Sequence, residues 1–329
     1  MDNVLSIIIA VHNNQNTINR CINSFYEKIK NNHKIEVICI NDHSTDKSLE
    51  IIRKYKKIKV FNSPKHGLGP SRNCGIEHAN AKFIWFIDAD DELCGETIDD
   101  NLIESIRLSD TDLFLLGIEK VTNRGNKYLV NKVSGIFYFN KNNKGVKEIF
   151  LNNIFNNSWN KLYKKELIQK NNLRFDDVSS VEDILFNCKY LEVANNITVI
   201  NKVFYKYYIY SKTSTKWNWM SDKLDVSVDM LEKLLKLSEK NSSVNRTLIS
   251  KIATDTLIGN EINNFISKEN ELVNFTEYKN KFRTDKMKFI RKHSNILSSR
   301  DIIYFIKACI ANSAILSYLY VKKMVISKH

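Results

Sequence analysis

Four apolar runs punctuate the first ninety residues, and segments of helical period lie between them. The runs are VLSIIIAV (4–11), IEVICI (35–40), IKVF (58–61) and FIWFI (83–87). Ile18, Cys21, Ile22, Phe25, Tyr26 and Ile29 recur at helical spacing after the first run. Leu49, Ile51, Ile52 and Tyr55 mark a second helix, and PSRNCGIEHA (70–79) a third. Apolar runs without polar alternation read as strands covered on both faces. Strands that alternate with helices build a mostly parallel, doubly wound α/β sheet. Such sheets bind ligands beyond the carboxyl ends of their strands. Asp42 and Asp88 both fall at such ends, so the two carboxylates are expected to converge.

Four segments near these ends carry chemistry. In FIWFIDADDE (83–92) a buried strand runs into Asp88, Asp90, Asp91 and Glu92. Four carboxylates this close repel one another unless a cation sits among them. An oxygen-rich cluster suits Mg²⁺ or Mn²⁺, which takes one or two carboxylates and completes its shell with water and phosphate oxygens. A plainer reading, acids favouring the first turn of a following helix, covers Asp91 and Glu92 but not Asp88 and Asp90. In NDHSTD (41–46), Ser44, Thr45 and Asp46 suit a helix cap, which leaves Asp42 for another purpose. In HGLGPSRNCG (66–75), a turn opens a helix whose amides attract phosphate, and Arg72 adds a fixed cation; an ordinary turn with Arg72 solvated or bridging Asp88 or Asp90 fits the spacing equally. In VSSVEDILFN (178–187), Ser179 and Glu182 fit a capping box, whereas Asp183 is left available as a general base. No GxGxxG follows the first strand and no GxxxxGK[ST] occurs, so neither a dinucleotide fold nor a P-loop is signalled.

Beyond residue 110 the pattern changes. Strand-like DLFLL, ITVI and VFYKYYI mix with helices around 145–155 and 181–195. From about 217 it turns helical, with Leu224, Val228, Leu231, Leu234 and Leu235 on one stripe. We therefore expect a catalytic domain over 1–216, divided near 110, and a helical, basic region over 217–329. The net charge of +13 favours anionic partners. Eight of the basic residues lie between Glu277 and Arg300. They are not interleaved with an aromatic RNA motif, so nucleic acid is not expected as a partner. The six cysteines form no CxxC pair and read as reduced, buried thiols of a cytoplasmic protein without a signal peptide. The run 302–321 is long enough to span a bilayer but contains Lys307 and Asn312. It reads first as a helix buried on the catalytic domain or in a homo-oligomer. The second reading is peripheral attachment to the inner, anionic face of the cell membrane, with the basic cluster meeting lipid.

LSIIIAVHNN, VICINDHSTDKS, GPSRNCGI, FIDADD, WNKLY (159–163) and VEDILF (181–186) together resemble glycosyltransferase family 2, in order and rough spacing over about 1–215. That resemblance implies a GT-A fold and an inverting, metal-dependent transfer of a hexosyl or N-acetylhexosaminyl group. The donor is a nucleotide-sugar, with UDP favoured, and the acceptor a glycan or lipid-linked glycan of a bacterial capsule or lipooligosaccharide. It sets Ala10, Val11, His12, Asn13 and Asp42 around the base and Arg72 near the ribose and diphosphate. Asp88 helps hold the nucleoside, Asp90 with Asp88 holds Mn²⁺ or Mg²⁺, Asp183 is the base with Glu182 beside it, and Trp159 and Asn160 shape the acceptor side. Two departures stand out. The family's Pro-x-Tyr-Asn reads Ala10-Val11-His12-Asn13 here, and Tyr208 holds the place of a family Arg, so a diphosphate contact passes to Lys212 or is lost. The competing reading is a catalytically inactive nucleotide- or glycan-binding module on the same fold; the pairing of DAD with ED argues against it, because a binder needs no base.

Overall fold

The computed structural model describes residues 3–94, 98–122, 127–129, 134–138, 156–178, 181–209, 233–234 and 236–237. The chain divides into two compact units. One comprises Met1–Ser211 with Glu239–Val244, the other Lys212–Ser238 with Asn245–His329. Everything below concerns the first unit. Lys212, the expected helix around 145–155, the basic cluster and the run 302–321 lie outside the described residues. Among the described residues, no helix is long and apolar enough to cross a membrane. No disulfide forms among them either, and Cys21, Cys39, Cys74 and Cys188 are buried.

The four apolar runs become β1 (Leu5–Val11), β2 (Ile35–Asn41), β3 (Ile58–Asn62) and β4 (Phe83–Asp88). They pair in parallel in the order β3-β2-β1-β4. The order continues through β9 (Lys161–Lys164), β6 (Leu113–Thr122), β10 (Asn196–Ile209) and β5 (Glu92–Leu93). β7 (Lys127–Leu129) pairs with β6, and β8 (Gly135–Tyr138) pairs with β10. β9 runs antiparallel to both β4 and β6, so β6 and β10 regain the direction of the first four strands. Six of the ten strands therefore share one direction, as a mostly parallel sheet requires.

Several local expectations change. The first helix breaks into α1 (Ile18–Asn23) and α2 (Tyr26–Ile29) around Ser24 and Phe25, where Ser24 Oγ turns back to donate to the Cys21 carbonyl at 2.6 Å. The segment after the second strand forms α3 (Ser48–Ile52), whose N-cap is Lys47 rather than Ser44 to Asp46. Asp91 and Glu92 do not begin a helix: Asp91 is 1% exposed, and Glu92 starts β5, which pairs antiparallel with β10. The helix that follows, α5 (Asp100–Leu108), is capped by Asp99, whose carboxylate accepts from Leu102 N–H at 2.7 Å. ITVI and VFYKYYI are one strand, β10, whose register against β6 shifts between Ile200 and Tyr205.

Two close approaches place the site. α4 (Leu68–His78) lies against β1 at Gly75, where a Cβ would come 2.3 Å from Ile8 Cγ2. This brings Arg72, one turn earlier, down onto the sheet. At Gly117 in β6, a Cβ would sit 2.2 Å from the Lys202 carbonyl oxygen of the irregular stretch of β10. Backbone cannot rotate away as a side chain can. Gly117→Ala is therefore expected to lower stability by roughly 1–3 kcal/mol, the range of overpacked interiors. Chemical denaturation measures it, and an unchanged midpoint would show that β10 yields freely.

Candidate active site

Three strand ends lie level. Ala10 pairs with Ile40 on one side and Asp88 on the other, and Val11 pairs with Asn41. The chain leaves β1 through His12 and Asn13, and Asn13 takes a left-handed φ of 53°. Asn13 Oδ1 accepts from Thr45 N–H at 2.9 Å, while Ser44 Oγ donates to the Val11 carbonyl at 3.2 Å. Ser44 and Thr45 thus tie two strand-end loops together instead of capping a helix. Asp42 is 5% exposed and accepts from Gly67 N–H at 3.1 Å and from His66 Nδ1 at 3.0 Å. The segment 66–72 therefore reaches both carboxylates: Gly67 and His66 hold Asp42, and Arg72 holds Asp88.

Arg72 is the charge at the centre. Its side chain is 2% exposed. Nη2 donates to Asp88 Oδ1 at 2.9 Å, and Nη1 donates to Asp183 Oδ1 at 2.5 Å and Glu182 Oε1 at 3.3 Å. Burial disfavours the charged guanidinium, but Asp183, Asp88 and Glu182 outweigh that cost and hold it above its ordinary value. The Phe175 ring covers it from 5.3 Å. The acids respond in the other direction. Burial lifts Asp88 to about 6 against the pull of Arg72, with Asp90 and Asp183 adding to the rise. Burial and then Asp183 push Glu182 up, again against Arg72.

Asp183 sits in the first turn of α6 (Glu182–Val193). The N-cap is Val181 at φ 57°, with no side-chain cap. Ser179 of the expected capping box lies outside the described residues. A left-handed conformation costs a non-glycine residue roughly 1–2 kcal/mol, and β-branched valine is poorly suited to it. Such strain gathers at functional sites, and here it directs Glu182 and Asp183 toward Arg72. The second oxygen of Asp183 accepts from Ser158 N–H at 3.0 Å.

The 157–161 turn is buried. Trp159 is 3% exposed and stacks on Tyr205 (centroids 4.5 Å apart) and Tyr207 (5.1 Å), while its carbonyl accepts from Trp85 Nε1 at 2.6 Å. Asn160 is fully buried, and its carbonyl accepts from Leu116 N–H. Lys161 is 1% exposed; its ammonium donates to the Asn157 carbonyl and to Asn160 Oδ1. Burial pulls Lys161 down to about 7, and the Asp183 carboxylate resists that fall.

The acidic loop after β4 brings one carboxylate oxygen from each of Asp88, Asp90 and Asp91 within 4.8 Å of one another. An all-oxygen set suits a hard divalent cation. Asp91 is pinned, accepting from Tyr205 Oη at 2.6 Å and Tyr208 N–H at 2.8 Å. Burial, with Asp88 and Asp90 near, pushes its carboxyl well up. Arg20 steadies the loop: it donates to the Asp90 carbonyl at 2.5 Å, pairs with Glu92 at 3.0 Å and lies 4.1 Å over the Tyr208 ring.

The structure thus gathers Arg72, Asp88, Glu182 and Asp183 in one cluster, with Asp90 beside Asp88. His12 and Asp42 meet at the β1 and β2 ends, and Trp159 and Asn160 lie interior to the turn that feeds Asp183. The expectation set Arg72 beside a ribose and diphosphate; its guanidinium lies among three carboxylates. Sequence reasoning passed over His66, Arg20, Tyr205 and Lys161. His66 stood in a segment already singled out, and Lys161 in WNKLY. Arg20 had no signal beyond its place on a helix face.

Residues 6–171 match the family described as Glycosyl transferase family 2, about half of the chain. "Poly(ribitol-phosphate) beta-N-acetylglucosaminyltransferase TarP" of Staphylococcus aureus is 28% identical over 314 residues, covering 89% of this chain and 93% of that one. "Putative glycosyltransferase EpsH" of Bacillus subtilis is 29% identical over 63% of this chain. "Glycosyltransferase GlyA" of Streptococcus pneumoniae is 26% identical over 76% of it. The chain spans 61% of the length of EpsH and 38% of that of GlyA. The crystal structure of S. aureus TarS 1–349 in complex with UDP-GlcNAc superposes with a TM-score of 0.66 at 22% identity, over 97% of this chain and 92% of that one. The likeness extends the GT-A fold to this sheet, and the match over the strand-end motifs makes the chain a member of glycosyl transferase family 2.

Proposed function

We propose that this protein is an inverting glycosyltransferase that moves a sugar, in the first instance N-acetylglucosamine, from a UDP-sugar to a hydroxyl of an anionic surface polymer of the poly(ribitol-phosphate) class. One observation carries the enzymatic reading: Asp183 is held at both oxygens, by Arg72 and by the Ser158 amide, in the same buried cluster as Asp88. A binding module has no use for a carboxylate so oriented. The donor follows from the UDP-GlcNAc bound by TarS, and the acceptor from the name of TarP. The chain's net charge of +13 suits a polyanionic acceptor, as it suits an anionic membrane surface nearby.

In this mechanism Ala10, Val11, His12, Asn13 and Asp42 form the base end of the donor cleft. Asp183 takes the proton of the acceptor hydroxyl as that oxygen attacks the anomeric carbon from the face opposite the leaving diphosphate. Arg72 fixes the direction of Asp183 through its Nη1 hydrogen bond to Oδ1. Asp88 and Asp90 would hold Mn²⁺ or Mg²⁺, which when bound supplies positive charge for the departing diphosphate. Lys161 supports the turn whose Ser158 amide holds the base.

Three outcomes are expected. Asp183→Asn should lower kcat about 10²–10⁴-fold, the usual worth of a general base, with UDP-sugar affinity retained in calorimetry; normal turnover in a UDP-GlcNAc transfer assay would remove Asp183 from the role. Asp90→Ala should abolish the gain in UDP affinity that Mn²⁺ gives the wild type; an undiminished gain would place the metal elsewhere. Lys161 supplies the pH test. Its folded value of about 7 lies below the 10.5 of an ordinary lysine, so across that window the unfolded chain binds the extra proton. Stability should therefore rise with pH from about 7 toward 10.5. Lys161→Met should flatten that rise, as read by denaturation midpoints at several pH values. A parallel slope in wild type and variant would show that Lys161 is protonated inside the fold.

A further inference from the structure

Three of the chain's seven histidines meet at the ends of β1 and β2, although 31 and 23 residues separate them in sequence: His12, His43 and His66. The rings of His12 and His66 lie 4.8 Å apart, and that of His43 lies 6.1 Å from His66. His12 and His66 both contact Asp42, the former at its backbone carbonyl and the latter at its carboxylate. One ligand atom from each of His12, Asp42 and His66 lies within 4.8 Å of the others. We propose that these three residues form a binding site for one divalent transition-metal ion of the zinc class, distinct in chemistry from the all-oxygen Asp88/Asp90 cluster.

The donor set decides the metal. Two imidazoles and a carboxylate suit Zn²⁺, Co²⁺, Ni²⁺ or Cu²⁺, whereas Mg²⁺ and Mn²⁺ prefer oxygen. Three protein ligands with a fourth position left to water is a common open zinc arrangement. The supporting contacts are in place. His12 Nδ1 donates to the Asp42 carbonyl at 2.6 Å, which fixes the tautomer and leaves Nε2 with its lone pair. A ligating histidine is ordinarily oriented by this kind of contact. Asn13 Nδ2 donates to that Nε2 at 3.2 Å, and this exposed side chain gives way when a cation takes the lone pair. Gly67 N–H, 3.1 Å from each Asp42 oxygen, steadies the carboxylate. His66 Nδ1 faces Asp42 Oδ1 at 3.0 Å. A carboxylate only accepts, so that nitrogen carries the proton. When the ion takes the place between ring and carboxylate, the proton leaves Nδ1 and the neutral imidazole carries its proton on Nε2 instead. Metal–ligand bonds of about 2.0–2.2 Å place tetrahedral ligand atoms roughly 3.3 Å apart. The contraction falls on His12 and His66, both exposed and able to turn, while the buried Asp42 stays fixed.

His12 and Asp42 are also the proposed contacts of the donor base, so the ion and the nucleotide would exclude each other; this clause alone rests on the proposed function. The test titrates Zn²⁺ alone into metal-stripped full-length protein by calorimetry and uses Co²⁺ as the spectroscopic probe, since four-coordinate Co²⁺ with nitrogen ligands absorbs strongly in the visible. One ion per chain is expected. His66→Ala and His12→Ala should each weaken binding at least tenfold and abolish the Co²⁺ band, with far-ultraviolet circular dichroism confirming that these exposed positions leave the fold intact. Asp90→Ala should bind Zn²⁺ as the wild type does. Binding that survives both histidine variants, binding lost in Asp90→Ala, or no Zn²⁺ binding at tens of micromolar would each overturn the site. In a second arm, Zn²⁺ should raise the apparent Kd for UDP. Site-specific Zn²⁺ binding without such competition would leave the metal site standing and count against the base contacts proposed above.

Discussion

The buried guanidinium of Arg72 is the interaction on which the site depends. Three carboxylates from two distant segments, Asp88 and the Glu182–Asp183 pair, meet in the interior only because a permanent cation lies among them. Removing one partner of a buried ion pair typically costs about 3–5 kcal/mol, because the remaining charge is stranded. Here the stranded charges would be three. Lysine is no substitute, since a single ammonium cannot address Asp88 with one nitrogen and Asp183 with another in a fixed plane. The strain at Val181 and the close contact of Gly75 with Ile8 both serve this arrangement: one presents the acids, the other lowers the helix that carries the arginine.

The parallel half of the sheet was readable because its strands are buried on both faces and their apolar runs stand alone. Strand ends followed directly, and with them Asp42 and Asp88. The second half was harder for a physical reason. β5 has two residues and exists only through pairing with β10, more than a hundred residues on, so nothing local announces it. The same long-range pairing drew Asp91 and Glu92 away from a helix start. Arg72 was visible as a cation near a helix N-terminus, but its burial was not, since two of its three partners lie 110 and 111 residues away. His66 is similar: its meaning depends on Asp42 and His12, which reach it through the fold.

The hydroxyl-rich loop after β2 shows how one composition serves two ends. Serine, threonine and aspartate after a strand ordinarily signal a helix cap. Here Ser44 and Thr45 bind the loop that leaves β1, while Asp46 accepts from Ser48 and Gln15 amides. Two left-handed residues, Asn13 and His43, sit in these loops. The result is a cross-tied rim at the ends of β1 and β2, made from backbone and short polar side chains.

β10 carries a consequence of its own. Tyr205 and Tyr208 pin the acidic loop through Asp91, and Tyr205 and Tyr207 hold the Trp159 ring in the turn whose Ser158 amide reaches Asp183. The two arms of the chemistry are therefore referenced to one ruler. Productive catalytic geometry tolerates errors of only about half an ångström, and two independent loops would each contribute their own error. With a shared strand, a displacement moves both arms together and the separation between the proposed leaving-group and base positions is conserved. Loops elsewhere along the cleft are then free to diverge, and new acceptors can be accommodated, without detuning the reaction centre.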